Sequence, residues 1–291
     1  MTRPAKVTID PVAAVNNMAL ARTMAGSSKV MAVVKADAYG HGIAQMAPLL
    51  SSADSFAVAS LEEAVQLREI GIKKPVILLE GPFDTTEMKE IVYYSLEVVV
   101  HSMVQIEMLQ SSATRLPIWL KCDTGMHRLG FGSDELAEAV ARVRKFAAPL
   151  RYMTHFANAH IRGHPTVDRQ IETFFQMVGK DCNECSLANS GALLANPGAL
   201  GSWVRPGLML YGVSPLNGES ANELGLAPVM TLSSQLISVR SVDKGEGVGY
   251  GGVFRCPEKM RIGVVAYGYG DGYPRTASTG TPILVNGIRT Q

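Results

Sequence analysis

Residues 30–42 read "VMAVVKADAYGHG": an uninterrupted apolar run over 30–34, then Lys35 at the seam, with Asp37, Tyr39, His41 and two glycines close behind. A continuous apolar run of this length is the mark of a strand buried on both faces, as in a parallel sheet covered by helices. An ammonium group is among the groups least willing to be buried, so its position at the end of such a strand has two readings. Lys35 either runs its stem along the strand end to reach solvent, or has a lowered pKa and serves as a nucleophile or Schiff-base amine. These thirteen residues alone leave both open.

Similar runs recur along the chain. Candidate strands are 56–59 "FAVA", 75–79 "PVILL", 96–100 "LEVVV", 117–121 "PIWLK", 151–155 "RYMTH", 185–188 "CSLA" and 202–205 "SWVR". Between them lie amphipathic stretches. In 60–72, Leu61, Ala64, Val65, Leu67 and Ile70 keep helical spacing, and Ser60 with Glu63 forms a candidate capping box. Residues 132–146 read alike, with Ser133 or Asp134 as the expected cap. Eight apolar strands alternating with helices predict an α/β fold, a (β/α)8 barrel rather than an open doubly wound sheet.

After residue 215 the texture changes to short β-rich runs and Gly-rich turns without a convincing helix. We expect a barrel over 1–218 and a β-rich domain over 219–291, with "SPLNGES" (214–220) as linker. Asn286-Gly287 in "TPILVNGIRTQ" predicts a type I′ hairpin. Its second strand leaves an open sheet edge, so the β domain is expected to be truncated or completed by other material.

Composition narrows the function classes. The 291 residues are 47% hydrophobic and 18% charged, with a formal net charge of +1, which gives no electrostatic footprint for nucleic acid. No apolar stretch approaches the roughly 18 residues that span a bilayer, and the N-terminus has no apolar signal core, so a cytoplasmic location is expected. Four scattered cysteines do not make a disulfide framework. "CNEC" (182–185) has no second pair to complete a zinc site and opens a strand rather than a strand-to-helix turn. The six histidines lack paired ligand spacing, so no metal is expected.

Barrel active sites lie at the C-terminal ends of the strands. That rule gathers Lys35, Lys121, His155, the "ANSG" turn (188–191) with Asn189 and Ser190, and Arg205 at one mouth, with Arg128 following in "CDTGMHRLG". Each has an ordinary alternative: a snorkelling strand end for Lys121, a surface arginine for Arg128, a satisfied half-buried His155, a common cap sequence at 189–191. Their coincidence argues for a site without naming a reaction. Ser190 before a glycine and the backbone from Gly207 can supply N–H groups to an anion. A strand-end lysine beside a phosphate nest points to pyridoxal phosphate chemistry.

The motifs then resemble those of alanine racemases, pyridoxal-phosphate enzymes with a barrel and a C-terminal β domain. The likeness runs through "RPAKVTID", "VMAVVKADAYGHG", "LKCDTGMHRLGF", "THFANA", "LANSGALL", "WVRPGLMLYG", "VGYGG" and "GYGDGYPR". It implies that Lys35 carries pyridoxal 5′-phosphate and is one of two catalytic bases, and that Tyr250 of a second subunit is the other. It further implies that Arg205 faces the pyridine nitrogen, and that Tyr39, Asn189, Ser190, Gly207 and Leu208 form the phosphate end of the site. His155 would pack near the ring and Arg128 would bind the substrate carboxylate. Lys121 matches a lysine often carbamylated in the family, and Tyr269 is a candidate for the entrance.

The implied protein is a homodimer with shared sites that interconverts L- and D-alanine and supplies D-alanine for peptidoglycan. The family's β domain continues through a "GRxxMD"-type stretch and a later tyrosine that this sequence does not contain, which implies a C-terminally shortened chain. "SLANS" replaces a histidine that many relatives carry before "xANS". The rival readings are a broad-specificity amino-acid racemase, an inactive shortened racemase and a non-catalytic pyridoxal-phosphate barrel protein. "VGYGGVF" and "GYGDGYPR" argue against the last.

Overall fold

The eight apolar runs become the eight strands of one closed parallel barrel. The structure is a computed structural model that describes residues 3–111, 115–182 and 184–290. After a first strand β1 (Lys6–Ile9), the barrel comprises β2 (Lys29–Val33), β3 (Ser55–Val58), β4 (Val76–Leu78), β5 (Glu97–Val100), β6 (Leu116–Lys121), β7 (Ala147–Met153), β8 (Cys185–Asn189) and β9 (Trp203–Arg205). They pair in that order, and β9 returns to β2. The chain divides into two compact units, Ile9–Val229 and a smaller one formed by the residues up to Thr8 with those from Met230 onward. The segment 214–220 falls inside the larger unit, with Leu216 buried and Glu219 paired to Arg162.

Strand alternation divides the core in two. Val30, Ala32 and Val34 join the layer between sheet and helices, whereas Met31 and Val33 join Ala57, Ile77, Val99, Trp119, Met153 and Trp203 in a separate cluster inside the barrel. Both faces are buried, which is why the runs are apolar throughout instead of alternating. Towards the N-terminal ends of the strands this interior is closed by charge. The Glu97 carboxylate accepts from Trp119 Nε1 at 2.7 Å and pairs with Arg151 at 3.1 Å, and Arg151 Nε donates to Glu184 at 2.6 Å.

The helix Leu61–Glu69 forms where its spacing predicts, burying Leu61, Ala64 and Leu67. The expected capping box does not form: Ser60 makes no side-chain cap bond, and Glu63 is drawn to other partners, its two oxygens accepting from Ala59 N and Asp37 N. The helix Ser133–Val143 is capped at Gly132 instead of Ser133 or Asp134, with Glu135 Oε2 accepting from Gly132 N at 3.3 Å. "CNEC" opens β8 with Cys182 and Cys185 as free thiols, and Asn183 lies outside the described residues.

The smaller unit is β-rich. In it β1 pairs with β10 (Met230–Ser233), β11 (Leu236–Val242) runs antiparallel to β14 (Met260–Val265), and β12 (Gly247–Val248) to β13 (Phe254–Arg255). The hairpin β15 (Ile283–Val285)–β16 (Ile288–Thr290) turns through Asn286 and Gly287 at φ 50° and 81°, the left-handed pair a type I′ turn needs. Gln291 lies outside the described residues. Among the described residues, no helix is long and apolar enough to cross a membrane.

Candidate active site

One step of strand periodicity builds the site. Lys35, Lys121, His155 and Arg205 each follow by two residues a side chain of the inner core, namely Val33, Trp119, Met153 and Trp203. A period of two keeps Lys121 and Arg205, the last residues of β6 and β9, on the inward side, while Lys35 and His155 lie just beyond the ends of β2 and β7. They line a cavity of about 530 Å³ at the C-terminal end of the barrel, with Tyr39, Arg128, Asn189, Ser190, Gly207 and Leu208. Ten of the expected site residues therefore share one cavity. Tyr250 does not line it. That residue belongs to the smaller unit, in the turn Tyr250–Gly252, and is 98% exposed; Tyr269 is exposed in the same unit.

After Lys35 the backbone does something no local residue demands. Ala36, Asp37, Ala38 and Tyr39 all have φ between 51° and 55°, a left-handed turn of four residues without a glycine. Such a conformation costs roughly 1–2 kcal/mol per residue, so the surroundings must hold it. Asp37 Oδ1 accepts from Ile43 N at 2.7 Å, and the Tyr39 ring lies 4.8 Å from that of Tyr211, whose hydroxyl donates to Val33 O. The turn lays the Tyr39 hydroxyl over Gly207, where a Cβ would stand 2.6 Å from it. Desolvation raises the Tyr39 pKa, so the phenol remains a donor at neutral pH.

Ser190 and Gly207 form the opposite side of that corner. Ser190 Oγ accepts from Gly207 N at 2.8 Å and from Met209 N at 3.4 Å. Asn189 caps the short helix Ser190–Ala195 by accepting from Ala192 N. Arg205 is 5% exposed and, among the described residues, donates to neutral acceptors alone: Ser186 O and Oγ, Thr154 O, Leu187 O and His155 Nδ1. Burial lowers its pKa to about 10, which still leaves it protonated at neutral pH. Burial first, then the charges of Arg205, Lys121, Arg128 and Lys35, holds His155 well below its ordinary pKa. It is a neutral imidazole accepting from Arg205.

Lys121 is 9% exposed, and no hydrogen bond or ion pair reaches its Nζ among the described residues. Burial, then Arg205, Arg128 and Lys35, lowers its pKa to about 8, with Glu80 opposing. Arg128 is carried by a loop folded around Asp123, whose Oδ1 accepts from Gly125 N, Met126 N and His127 N. Gly130 closes that loop at φ 127°, where a Cβ would press within 2.8 Å of Asp123 N.

Sequence reading passed over the residues that fix these loops. Gln170 donates to His155 O and Thr124 Oγ1 and accepts from Ala157 N. Gln105 donates to Glu80 O and Pro82 O and accepts from His101 N. Glu80 also lines the cavity, the one carboxylate among the described lining residues. Its place just past "PVILL" is a strand-end signal that could have found it.

Fold and site together define an enzyme built on a (β/α)8 barrel, with a cavity of basic and polar residues at the C-terminal end of its strands. The alanine racemase N-terminal domain model matches residues 9–215, and the alanine racemase C-terminal domain model matches 229–291. The chain belongs to the alanine racemase family and is an amino-acid racemase, an isomerase.

It is 46% identical to an alanine racemase of Nitrosomonas eutropha, over 100% of this chain and 82% of the relative. With one of Vibrio parahaemolyticus it shares 44%, over 98% and 81%. The structure of the biosynthetic alanine racemase from Pseudomonas aeruginosa is similar at a TM-score of 0.96 and 44% identity, covering 99% of this chain and 82% of that one. An alanine racemase from Bartonella henselae, described with covalently bound pyridoxal phosphate, is similar at a TM-score of 0.88 and 29% identity, over 98% and 81%.

Proposed function

We propose that this chain interconverts L-alanine and D-alanine with pyridoxal 5′-phosphate, using Lys35 and Tyr250 as bases on opposite faces of the substrate. The observation that carries the reading is the company Lys35 keeps. One cavity holds a strand-end lysine, the Tyr39–Ser190–Gly207 corner and a buried arginine that donates to neutral acceptors. These residues suit the cofactor, since Gly207 leaves bare the surface that a Cβ would fill beneath the Tyr39 hydroxyl.

When bound, the cofactor joins the substrate amino group and draws electrons from Cα, so that its hydrogen leaves as a proton. Racemisation then needs that proton removed from one face and another delivered to the other. Lys35 would hold the cofactor covalently in the resting protein, and its amine, set free when the substrate amino group takes its place, would serve one face. Tyr250 of the partner subunit serves the other, which makes the working unit a homodimer with shared sites. In this division of labour residues 1–218 bind the cofactor and 219–291 deliver the tyrosine.

Tyr39, Ser190 and the backbone at Gly207 and Leu208 hold the phosphate, with Asn189 fixing the helix start beneath them. His155 would pack beside the ring. The Arg205 guanidinium would face the pyridine nitrogen and, always protonated itself, would discourage a proton there. Arg128 binds the substrate carboxylate. Lys121, whose amine is partly unprotonated near neutral pH, adds carbon dioxide and releases a proton, and the resulting carbamate anion orients Arg128. The product D-alanine would serve peptidoglycan assembly from the cytoplasm, as the family resemblance implies.

The test is a spectrum and an optical-rotation assay of purified protein supplied with the cofactor. The expected result is a band at about 420 nm with racemisation of alanine in both directions, both lost in Lys35→Ala. A wild-type protein with no band, or racemisation that survives Lys35→Ala, overturns the reading.

A further inference from the structure

We propose that Glu63 is a positioning residue: it pins the left-handed turn 36–39 to the barrel and so sets where the Tyr39 hydroxyl stands. The inference rests on the reading that Tyr39 contacts the cofactor phosphate. Glu63 lies on the helix Leu61–Glu69, outside the cavity and one strand–helix unit away from the turn. Its Oε2 accepts from Ala59 N at 2.9 Å, at the end of β3, and its Oε1 accepts from Asp37 N at 3.0 Å, within the turn. One carboxylate thus joins the strained turn to a rigid neighbouring strand.

Among the described residues, the turn's other backbone bonds are local. Ala38 N donates to Val34 O, His41 N to Ala38 O and Gly42 N to Asp37 O, and the Asp37 side chain accepts from Ile43 N. These close the segment on itself without fixing it to another strand. Tolerance at the far end is small, because the Tyr39 hydroxyl sits against Gly207 with no room for a Cβ. The residue type also follows from the chemistry. Both partners of Glu63 are N–H donors, so two acceptor oxygens are required, and glutamine would turn its NH2 group against one of them. This accounts for a glutamate that leaves its expected capping role unfilled.

The experiment titrates apo-protein with pyridoxal phosphate and, separately, with pyridoxal, which has no phosphate, for wild type, Glu63→Gln and Glu63→Ala. Losing one hydrogen bond at the turn is expected to raise the Kd for pyridoxal phosphate about tenfold, with pyridoxal binding almost unchanged. Peptide-level amide exchange on the same apo-proteins should quicken over 35–40 and stay constant over 55–58, which separates a loosened turn from a misfolded barrel. Equal losses for the two ligands, an unchanged Kd for pyridoxal phosphate, or uniform exchange across both segments overturns the proposal. A wild-type protein that binds both ligands equally instead removes the phosphate reading on which it rests.

Discussion

Arg205 and Lys121 are buried cations that form no ion pair among the described residues, and each has a measurable consequence. In the role proposed for it Arg205 keeps the pyridine nitrogen unprotonated and limits side reactions, so Arg205→Glu should raise transamination relative to racemisation. Pyruvate released per D-alanine formed measures this, and an unchanged ratio contradicts the role. For Lys121 the sign follows from the two states. The unfolded lysine titrates near 10.5 and the folded one at about 8, so between those values the unfolded chain binds more protons. In buffer free of carbon dioxide, stability should therefore be flat below pH 8 and rise by up to about 3 kcal/mol towards pH 10.5. Urea unfolding of wild type against Lys121→Met across that range isolates the slope, which the variant should lack. These residues are legible in sequence because each stands one inward step beyond an inner-core residue. The left-handed turn is not, since Ala36, Asp37, Ala38 and Tyr39 contain no glycine and the contacts that hold it come from elsewhere in the chain.

At the scale of elements, the strands are legible because burial on both faces makes them continuously apolar. Helix starts are less so. Ser60 and Glu63 carry the right spacing for a cap, yet a backbone N–H 26 positions away claims the carboxylate. The charged closure at the N-terminal ends of the strands is equally non-local, joining β5, β6 and β7 to Glu184. Glu97→Ala there leaves Trp119 Nε1 without its acceptor and Arg151 half paired, at an expected cost of about 3–5 kcal/mol in urea unfolding. Affinity for pyridoxal phosphate should not move, because the cavity lies at the other end of the barrel. Lost affinity at unchanged stability would contradict this separation of scaffold from site.

For the whole molecule, the barrel unit and the β unit hold different halves of the proposed chemistry. Lys35 lines the cavity of one, and Tyr250 stands 98% exposed on the other. Motif order links the two in the sequence, whereas a site shared between subunits has no local pattern for spacing or periodicity to reveal. Mixing inactive Lys35→Ala and Tyr250→Phe proteins tests the sharing. Random hybrid dimers carry one complete site each, so about a quarter of wild-type activity should return. Hybrid dimers that form and regain nothing contradict it.

The most direct measurement of the two-base claim is the fate of the Cα hydrogen in heavy water. L-Alanine is supplied to the enzyme in ²H₂O, and the first D-alanine formed is examined by mass spectrometry. Opposed bases predict that this D-alanine carries deuterium at Cα, because the proton taken by one base is not the one delivered by the other. D-Alanine that retains the original hydrogen from the first turnovers would mean a single base serving both faces, and would contradict the assignment of Lys35 and Tyr250 to opposite sides.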